Sequence, residues 1–193
     1  MDKIRQYAKE NYIPIIRDET AVYLVKVVKE KNPQNILEIG TAIGYSGLLM
    51  LENSKANLWT IEKDEKRCEM AKENFNRFNM QNRVKIFNDD ASNVLEELVK
   101  EGTKFDMVFL DGPKGQYKRY YPLIKQLLQK QGVLFTDNVY LQGLVKQTGT
   151  IPHKHRSMVR NLKEFLVELQ QDQDFETTIY DIDDGFSISY FKK

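Results

Sequence analysis

The decisive stretch of the chain is Asn35-Ile36-Leu37-Glu38-Ile39-Gly40-Thr41-Ala42-Ile43-Gly44-Tyr45-Ser46-Gly47. A short apolar run with one carboxylate leads into a glycine-rich turn, and a helical pattern follows. A strand that ends in such a turn and feeds a helix is the first unit of a nucleotide-type α/β domain. The spacing is E-x-G-x-x-x-G, with Ala42 where a dinucleotide fingerprint has its second glycine. A dehydrogenase is therefore disfavoured.

Strand-like and helical patterns alternate along the rest of the chain. We predict further strands at 58–62, 84–87, 105–111 and 132–138, and helices at about 64–79, 117–130 and 156–171. Two last strand-like runs, 175–182 and 186–191, flank Asp183-Asp184-Gly185, and Asp-Gly between such runs indicates a hairpin. The pattern predicts an α/β fold with a doubly wound, mostly parallel seven-stranded sheet and a C-terminal antiparallel hairpin. We expect one domain over 1–193, with a helical segment at 1–34 packing on it.

Composition narrows the classes of function. Lysine and arginine total 29 against 28 acidic residues, and the net charge of +1 argues against bulk electrostatic attachment to nucleic acid. A local basic patch is still allowed. The single cysteine, Cys68, cannot form an internal disulfide, which favours a reducing compartment. No apolar run approaches the ~20 residues of a membrane span, so we expect a cytoplasmic protein without a membrane partner.

Polar residues stand at the exits of the other predicted strands, where α/β sheets bind ligands. Glu62 ends the second strand, Asp90 comes after the third, Asp111 ends the fourth and Asp137-Asn138 end the fifth. Each has a structural alternative, since Glu62 could cap the next helix and Asp90 could be the N-cap of the helix beginning near residue 92. Because an acid or amide occurs at each exit, we favour the functional interpretation for the set.

Three of these residues suit a divalent cation. Asp111, Asp137 and Asn138 offer two carboxylates and an amide oxygen, which suit Mg²⁺ or Ca²⁺ and not zinc. Asp137-Asn138 could also be a simple turn. Lys114 follows Asp111 by three residues. A lysine close to a divalent ion loses part of its preference for the charged form, so we interpret Lys114 as a general base; otherwise it is a solvated loop lysine.

These motifs resemble the metal-dependent class I S-adenosylmethionine O-methyltransferases of the catechol O-methyltransferase type, which have a Rossmann-like fold. The resemblance rests on the glycine turn, Glu62, Asp90-Ala91, Asp111-x-x-Lys114-x-x-Tyr117 and Asp137-Asn138. It implies that Glu62 holds the donor's ribose, that Asp90 contacts its adenine, and that Mg²⁺ or another hard divalent cation lies on the aspartate–asparagine set. The expected donor-binding residues are Glu38, Gly40, Thr41, Gly44, Tyr45, Ser46, Glu62, Asp90, Ala91 and Asp111.

The identity of the acceptor is inferred from a closer resemblance and from basic residues near the expected site. Thr136-Asp137-Asn138-Val139, Gly143-Leu144-Val145 and the basic stretch that follows are similar to bacterial tRNA 5-hydroxyuridine methyltransferases. That similarity implies methylation of 5-hydroxyuridine to 5-methoxyuridine at the wobble position, in the anticodon loop. The candidates for phosphate contacts are Lys118, Arg119, Lys154, Arg156 and Arg160, although a solvated charged face has the same composition.

The sequence leaves open a different acceptor, a function without catalysis, and the oligomeric state. A small phenolic acceptor, of the catechol or caffeoyl type, is the alternative within the same chemistry. A binding protein that keeps the domain without its reaction is a third interpretation, disfavoured by the complete acidic set. The family likeness also suggests a homodimer.

Overall fold

The computed structural model describes residues 1–147 and 149–193. Within these ranges the chain forms seven strands and seven α-helices. The strands are β1 (Asn35–Ile39), β2 (Asn57–Ile61), β3 (Val84–Phe87), β4 (Phe105–Leu110), β5 (Leu128–Thr136), β6 (Phe175–Tyr180) and β7 (Phe186–Phe191). The helices are α1 (Asp2–Glu10), α2 (Asp18–Lys31), α3 (Tyr45–Glu52), α4 (Glu65–Arg77), α5 (Ala91–Lys100), α6 (Tyr117–Leu127) and α7 (Arg156–Gln171).

All seven strands join one sheet in the order β3-β2-β1-β4-β5-β7-β6. Strands β1 to β5 pair in parallel, and β7 is antiparallel to both β5 and β6. The predicted fold class is confirmed. The chain order reverses between β1 and β4, which are neighbours with Ile39 opposite Leu110. A crevice is expected beyond the carboxyl ends of such a strand pair.

Each face of the sheet carries its own hydrophobic cluster, because side chains alternate along a strand. Leu37 and Ile39 of β1 face the cluster formed with α5, α6 and α7. Ile36 faces the other cluster, which includes Ile4 and Ala8 of α1 as well as residues of α2 and α3. The N-terminal helices thus close one face of the sheet. Among the described residues, no helix is both long and apolar enough to cross a membrane.

The fifth strand begins earlier than the sequence predicts. The predicted helix at 117–130 ends at Leu127, and β5 already pairs with β4 at Leu128, opposite Phe105. The register shifts between Phe105 and Met107, and Gln131 has a positive φ of 61°. The start of β5 is therefore an exposed, irregular segment of polar residues, which carries no strand alternation in the sequence.

Candidate active site

A cavity of about 370 Å³ opens beyond the carboxyl ends of the parallel strands. Its wall includes several of the predicted site residues, contributed by the exits of β1 to β5: Gly40, Glu62, Asp90, Ala91, Asp111, Lys114 and Asn138. The structure therefore brings together residues that are far apart in sequence. The remaining predicted donor residues, Glu38, Thr41, Gly44, Tyr45 and Ser46, do not line this cavity.

Position 40 requires a glycine because the exits of two neighbouring strands lie close together there. It has φ +103°, and a Cβ there would lie 2.4 Å from the backbone oxygen of Asp111. Only glycine lets the exits of β1 and β4 lie this close, because any side chain would collide with the backbone. The turn is further fixed because the N–H groups of Gly40 and Thr41 both donate to the Ile61 carbonyl, each over 3.1 Å.

Glu38 lies behind the glycine turn, with no exposed surface. Its carboxylate accepts hydrogen bonds from Ser46 Oγ (2.5 Å) and Thr60 Oγ1 (2.6 Å), and Thr41 Oγ1 lies 2.5 Å from Thr60 Oγ1. Burial raises the pKa of Glu38 to about 7, although the two hydroxyl donors oppose that change. In this position Glu38 ties β1 to β2 and α3 and does not face the cavity.

The other residues that lie off the cavity are part of the same turn. Gly44 is the N-cap of α3, with φ +83°. Tyr45 is buried in the cluster that α1 and α2 cover, and Ser46 is engaged by Glu38. Direct donor contact by these side chains stays a prediction, and what the structure shows is support for the turn.

Glu62 joins the glycine turn to the exit of β2. Its Oε2 accepts the Ala42 N–H over 2.9 Å, and its Oε1 accepts the Asp64 N–H over 2.9 Å. Asp64 is itself the N-cap of α4, so Glu62 is not the cap of that helix. Each carboxylate oxygen can accept a second hydrogen bond. Glu62 can therefore hold the turn and still receive two hydroxyl groups from the cavity.

Asp90 does act as the N-cap of α5, which was the structural alternative for this residue. Its Oδ1 accepts the Ser92 N–H over 2.9 Å, and its Oδ2 accepts from Lys63 Nζ over 3.0 Å. The Ser92 N–H and the Lys63 ammonium lower the pKa of Asp90. A hydrogen bond to a ligand would have to use the remaining lone pairs, and Ala91 lines the cavity beside it.

Lys114 lies between the exits of β4 and β5. Its ammonium group donates to Asp111 Oδ1 (2.6 Å), Tyr117 Oη (2.7 Å) and the Asp137 carbonyl (3.3 Å). Burial lowers the pKa of Lys114, but the charge of Asp111 and the other neighbours outweighs burial, and the pKa lies above its ordinary value. Lys114 is thus a firmly held ammonium ion in this structure and no solvated loop lysine. The role of general base stays a prediction.

Asp137 carries an unsatisfied oxygen beside this ion pair. The residue is 2% exposed, and its Oδ1 accepts the Asn138 N–H over 2.7 Å. Its Oδ2 is buried and has no hydrogen-bond partner in the described part of the chain. Burial and the nearby Asp111 charge raise the pKa of Asp137 to about 7.

An unpartnered buried carboxylate oxygen is costly unless a proton or a cation meets it. The donor set of Asp111, Asp137 and Asn138 therefore fits a hard divalent cation. No group of three His, Cys, Asp or Glu side chains within 1–147 and 149–193 is arranged to hold a metal. The predicted set has two such residues and an amide.

Comparison with known proteins identifies the family. The model of the family described as "O-methyltransferase" matches residues 1–191. The chain belongs to the O-methyltransferase family. The predicted enzyme class is thereby confirmed. Named relatives include a catechol O-methyltransferase of Niastella koreensis, which is 36% identical over 115 residues, covering 58% of this chain and 52% of the relative.

Solved structures resemble this O-methyltransferase closely. A Staphylococcus aureus protein, provisionally named a caffeoyl-CoA O-methyltransferase, is 32% identical with a TM-score of 0.91, covering 98% of this chain and 91% of the other. An O-methyltransferase of Bacillus cereus, solved in complex with SAH (S-adenosylhomocysteine), is 24% identical with a TM-score of 0.87 and covers 99% and 90% of the two chains. The second likeness shows the fold alone.

The five candidates for phosphate contacts differ in whether an acidic side chain already pairs with them. Lys118 Nζ pairs with Glu164 over 2.6 Å, and Arg119 lies 3.6 Å from Glu96. These two candidates are thus partly neutralised. The other three candidates, Lys154, Arg156 and Arg160, lie at or just before the start of α7.

The start of α7 packs against the turn that carries Lys114. Asn161 Nδ2 donates to the Gly115 carbonyl over 3.1 Å. A Cβ at Gly115 would lie 3.8 Å from Met158, another residue of α7. The basic start of α7 therefore lies beside the predicted acceptor side of the site.

Several cavity residues of the methyltransferase were not predicted. Pro14 and Ile15 reach the cavity from the segment between α1 and α2, and Lys63, Arg67 and Tyr120 are also part of its wall. Tyr120 comes from α6, where its position in an aromatic run suggests only core packing. No local pattern marks these residues, because they reach the cavity through the arrangement of helices around the sheet.

Proposed function

We propose that the protein transfers the methyl group of S-adenosylmethionine to an acidic hydroxyl group that has a second oxygen on the neighbouring carbon. The acceptor that we favour is 5-hydroxyuridine at the wobble position of tRNA. One observation carries the proposal: beside the donor cavity, Lys114 bridges Asp111 and the Asp137 carbonyl, and Asp137 keeps a buried oxygen without a partner among the described residues.

The cavity offers groups suited to each part of the donor. Glu62 has free lone pairs for the two ribose hydroxyls. Asp90 and Ala91 line the same cavity and would contact the adenine ring. Gly40 allows close approach of the donor because it has no side chain. Backbone and carboxylate acceptors at strand exits are the usual means of orienting such a ligand.

On the acceptor side, Asp111, Asp137 and Asn138 would hold a divalent cation. When bound, that cation favours the ionised form of the acceptor hydroxyl. Lys114, which contacts Asp111 and the Asp137 carbonyl, would receive the hydroxyl proton after first releasing one proton of its ammonium group to solvent, a loss that a cation close by would favour. The acceptor oxygen then forms a bond to the methyl carbon while the carbon–sulfur bond breaks and its electron pair stays on sulfur. The contribution of the fold is mainly to hold the two reacting groups close together and in line.

Charge near the acceptor side supports an anionic substrate. Lys154, Arg156 and Arg160 lie at the start of α7, which packs against the Lys114 turn through Asn161. Cations that flank an active-site mouth can position phosphates. A nucleotide within a strand fits this arrangement better than a neutral phenol.

A small phenolic acceptor is the second candidate. It is favoured by the names of the relatives, which are described as catechol and caffeoyl-CoA O-methyltransferases. A catechol and a 5-hydroxyuracil share the same pair of neighbouring oxygens, so the two candidates use the same chemistry and differ in what lies around the ring.

The test is direct. The protein is incubated with Mg²⁺, S-adenosylmethionine and either tRNA that contains 5-hydroxyuridine or free catechol, and products are measured by mass spectrometry. We expect 5-methoxyuridine in the tRNA. Turnover of catechol without any 5-methoxyuridine would establish the second candidate instead.

Variants separate the two acceptors further. Arg156→Ala combined with Arg160→Ala should reduce turnover of tRNA and leave turnover of catechol unchanged. Lys163→Ala removes a like charge from the exposed side of α7 and serves as the matched control. Equal loss with both acceptors would contradict a role in phosphate binding.

A further inference from the structure

The turn between β6 and β7 lies directly against the segment that follows Asn138. The Val139 N–H donates to the Gly185 carbonyl and the Tyr140 N–H to the Asp184 carbonyl, both over 2.9 Å. The contact is tight, since a Cβ at Gly185 would lie 2.2 Å from the ring of Tyr140. The hairpin is therefore fixed beside the predicted cation ligands.

A second attachment holds the same turn from the opposite side. Asp183 Oδ2 accepts both the Thr20 N–H (2.9 Å) and Thr20 Oγ1 (2.8 Å), in the first turn of α2. A carboxylate that binds free N–H groups at a helix start stabilises that start. Asp183 thus has a structural partner, whereas its neighbour Asp184 has a different environment.

Asp184 is a buried acid that the proposed reaction does not yet use. It is 8% exposed. Neither a hydrogen bond nor an ion pair from the described ranges, 1–147 and 149–193, reaches its carboxylate. Thr136 of β5 lies opposite Ser187 of β7, and the Tyr140 N–H donates to the Asp184 carbonyl, so Asp184 lies beside the exit of β5 that carries Asp137. In agreement with this placement, the charge of Asp184 raises the pKa of Asp137.

The charges around Asp137 do not balance in the described part of the chain. Asp111, Asp137 and Asp184 bring three carboxylates, and the Lys114 ammonium group donates to the carboxylate of Asp111 and to the backbone carbonyl of Asp137. The unpartnered Asp137 Oδ2 is buried in the same place. Carboxylates in such a cluster are stabilised by a bound cation or by a proton on one of them, because their mutual repulsion is otherwise uncompensated.

We propose that Asp184 is a positioning residue of the cation site, where it accepts hydrogen bonds from water on the cation that Asp111, Asp137 and Asn138 hold. This inference rests on the cation of the proposed function. Direct ligation is disfavoured, because the described residues contain no three-acid group with metal-binding geometry. Carboxylates that act through bound water orient the ligands and add to affinity.

The test measures binding of the metal alone. Mn²⁺ is titrated into the full chain by isothermal calorimetry, without donor or acceptor, for the wild type, Asp184→Asn and Asp181→Asn. Asp181 lies three residues earlier and pairs with Lys146 at the surface, so its variant makes the same charge change outside the site. We expect Asp184→Asn to weaken Mn²⁺ binding about tenfold to a hundredfold, and Asp181→Asn to change it less than about twofold.

Unfolding without metal distinguishes positioning from support of the turn. Removing one repelling carboxylate should leave the urea midpoint of metal-free Asp184→Asn unchanged or higher. Asp184→Ser provides the same comparison without an amide. A lower midpoint in both variants, or Mn²⁺ affinity equal to that of the wild type, would overturn the role of Asp184. A wild type that methylates its acceptor in EDTA and fails to bind Mn²⁺ would instead remove the cation from the proposed function, and this inference with it.

Discussion

Lys114 Nζ donates a hydrogen bond to Asp111 Oδ1 over 2.6 Å, so a predicted metal ligand is already paired with a predicted base. The same ammonium group donates to the Asp137 carbonyl. In this arrangement Lys114 neutralises part of the charge that a divalent cation would otherwise meet. Stability and cation binding should therefore be coupled through this one side chain.

Lys114→Met should make the protein less stable without metal. The variant leaves Asp111 without its charged donor, and the loss of a hydrogen bond between charged groups costs about 2 kcal/mol. Urea unfolding in EDTA and in Mg²⁺ provides the measurement, and Mg²⁺ should stabilise the variant more than the wild type. Lys118→Met is the control, because its ion pair with Glu164 is at the surface and contributes about 0–1 kcal/mol.

The same substitution should slow methyl transfer by about 10²- to 10⁴-fold if Lys114 accepts the hydroxyl proton. Single-turnover rates are the appropriate measurement, because they exclude product release. A variant that keeps the wild-type rate at saturating Mg²⁺ would show that the proton leaves by another path.

Glu38 should make stability fall as the pH rises towards neutrality. Its pKa is about 7 in the folded chain, against an ordinary value of 4.5. Below the ordinary value the group is protonated in both states. Between the two values the folded chain keeps a proton that the unfolded chain releases, so the free energy of unfolding decreases, by about 3 kcal/mol in total.

Glu38→Gln should remove this dependence, because the amide does not titrate. The free energy of unfolding at about pH 5 and at about pH 8 is compared for both proteins by urea titration. Asp137 titrates in the same range, and the difference between wild type and variant cancels its contribution. If the free energy of unfolding changed with pH by the same amount in both proteins, the raised pKa of the buried Glu38 carboxyl group would be contradicted.

Glu62→Gln should weaken binding of S-adenosylmethionine about tenfold, as expected for the loss of a charged hydrogen-bond acceptor. The amide oxygen can keep one of the two backbone contacts, to Ala42 or Asp64, so the turn should still form. Calorimetric titration of the donor measures the effect. Glu65→Gln, an exposed residue of α4, is the control and should bind the donor as the wild type does.

The sequence predicts the strand exits well because each exit is marked by a change from apolar residues to an acid or amide. Buried parallel strands are continuous apolar runs, and the acid or amide that follows each run is visible at once. Asp111, Lys114 and Asn138 lie on one cavity, as their positions after neighbouring strands predict.

Other features depend on contacts that no local pattern records. Glu38 belongs to the glycine motif, yet its carboxylate is turned towards Ser46 and Thr60, a pairing across two strands and a helix. Asp184 belongs to a sequence that is typical of a hairpin turn. It lies near Asp137 only because β7 pairs with β5. Tertiary proximity decides the environment of both acids.

Gly40→Ala should disrupt the donor side more than an ordinary strained glycine does. Alanine at a positive φ costs about 1–2 kcal/mol in itself, and here its Cβ would also collide with the backbone oxygen of Asp111, which cannot move without shifting the exit of β4. Gly102→Ala is the matched control, since Gly102 has φ +70° and a Cβ there would meet no atom of the described residues within 4 Å. Urea unfolding and donor titration are measured for both. We expect both variants to lose stability, Gly40→Ala the more, and only Gly40→Ala to lose donor affinity; equal effects in the two would mean that backbone strain alone explains the glycine.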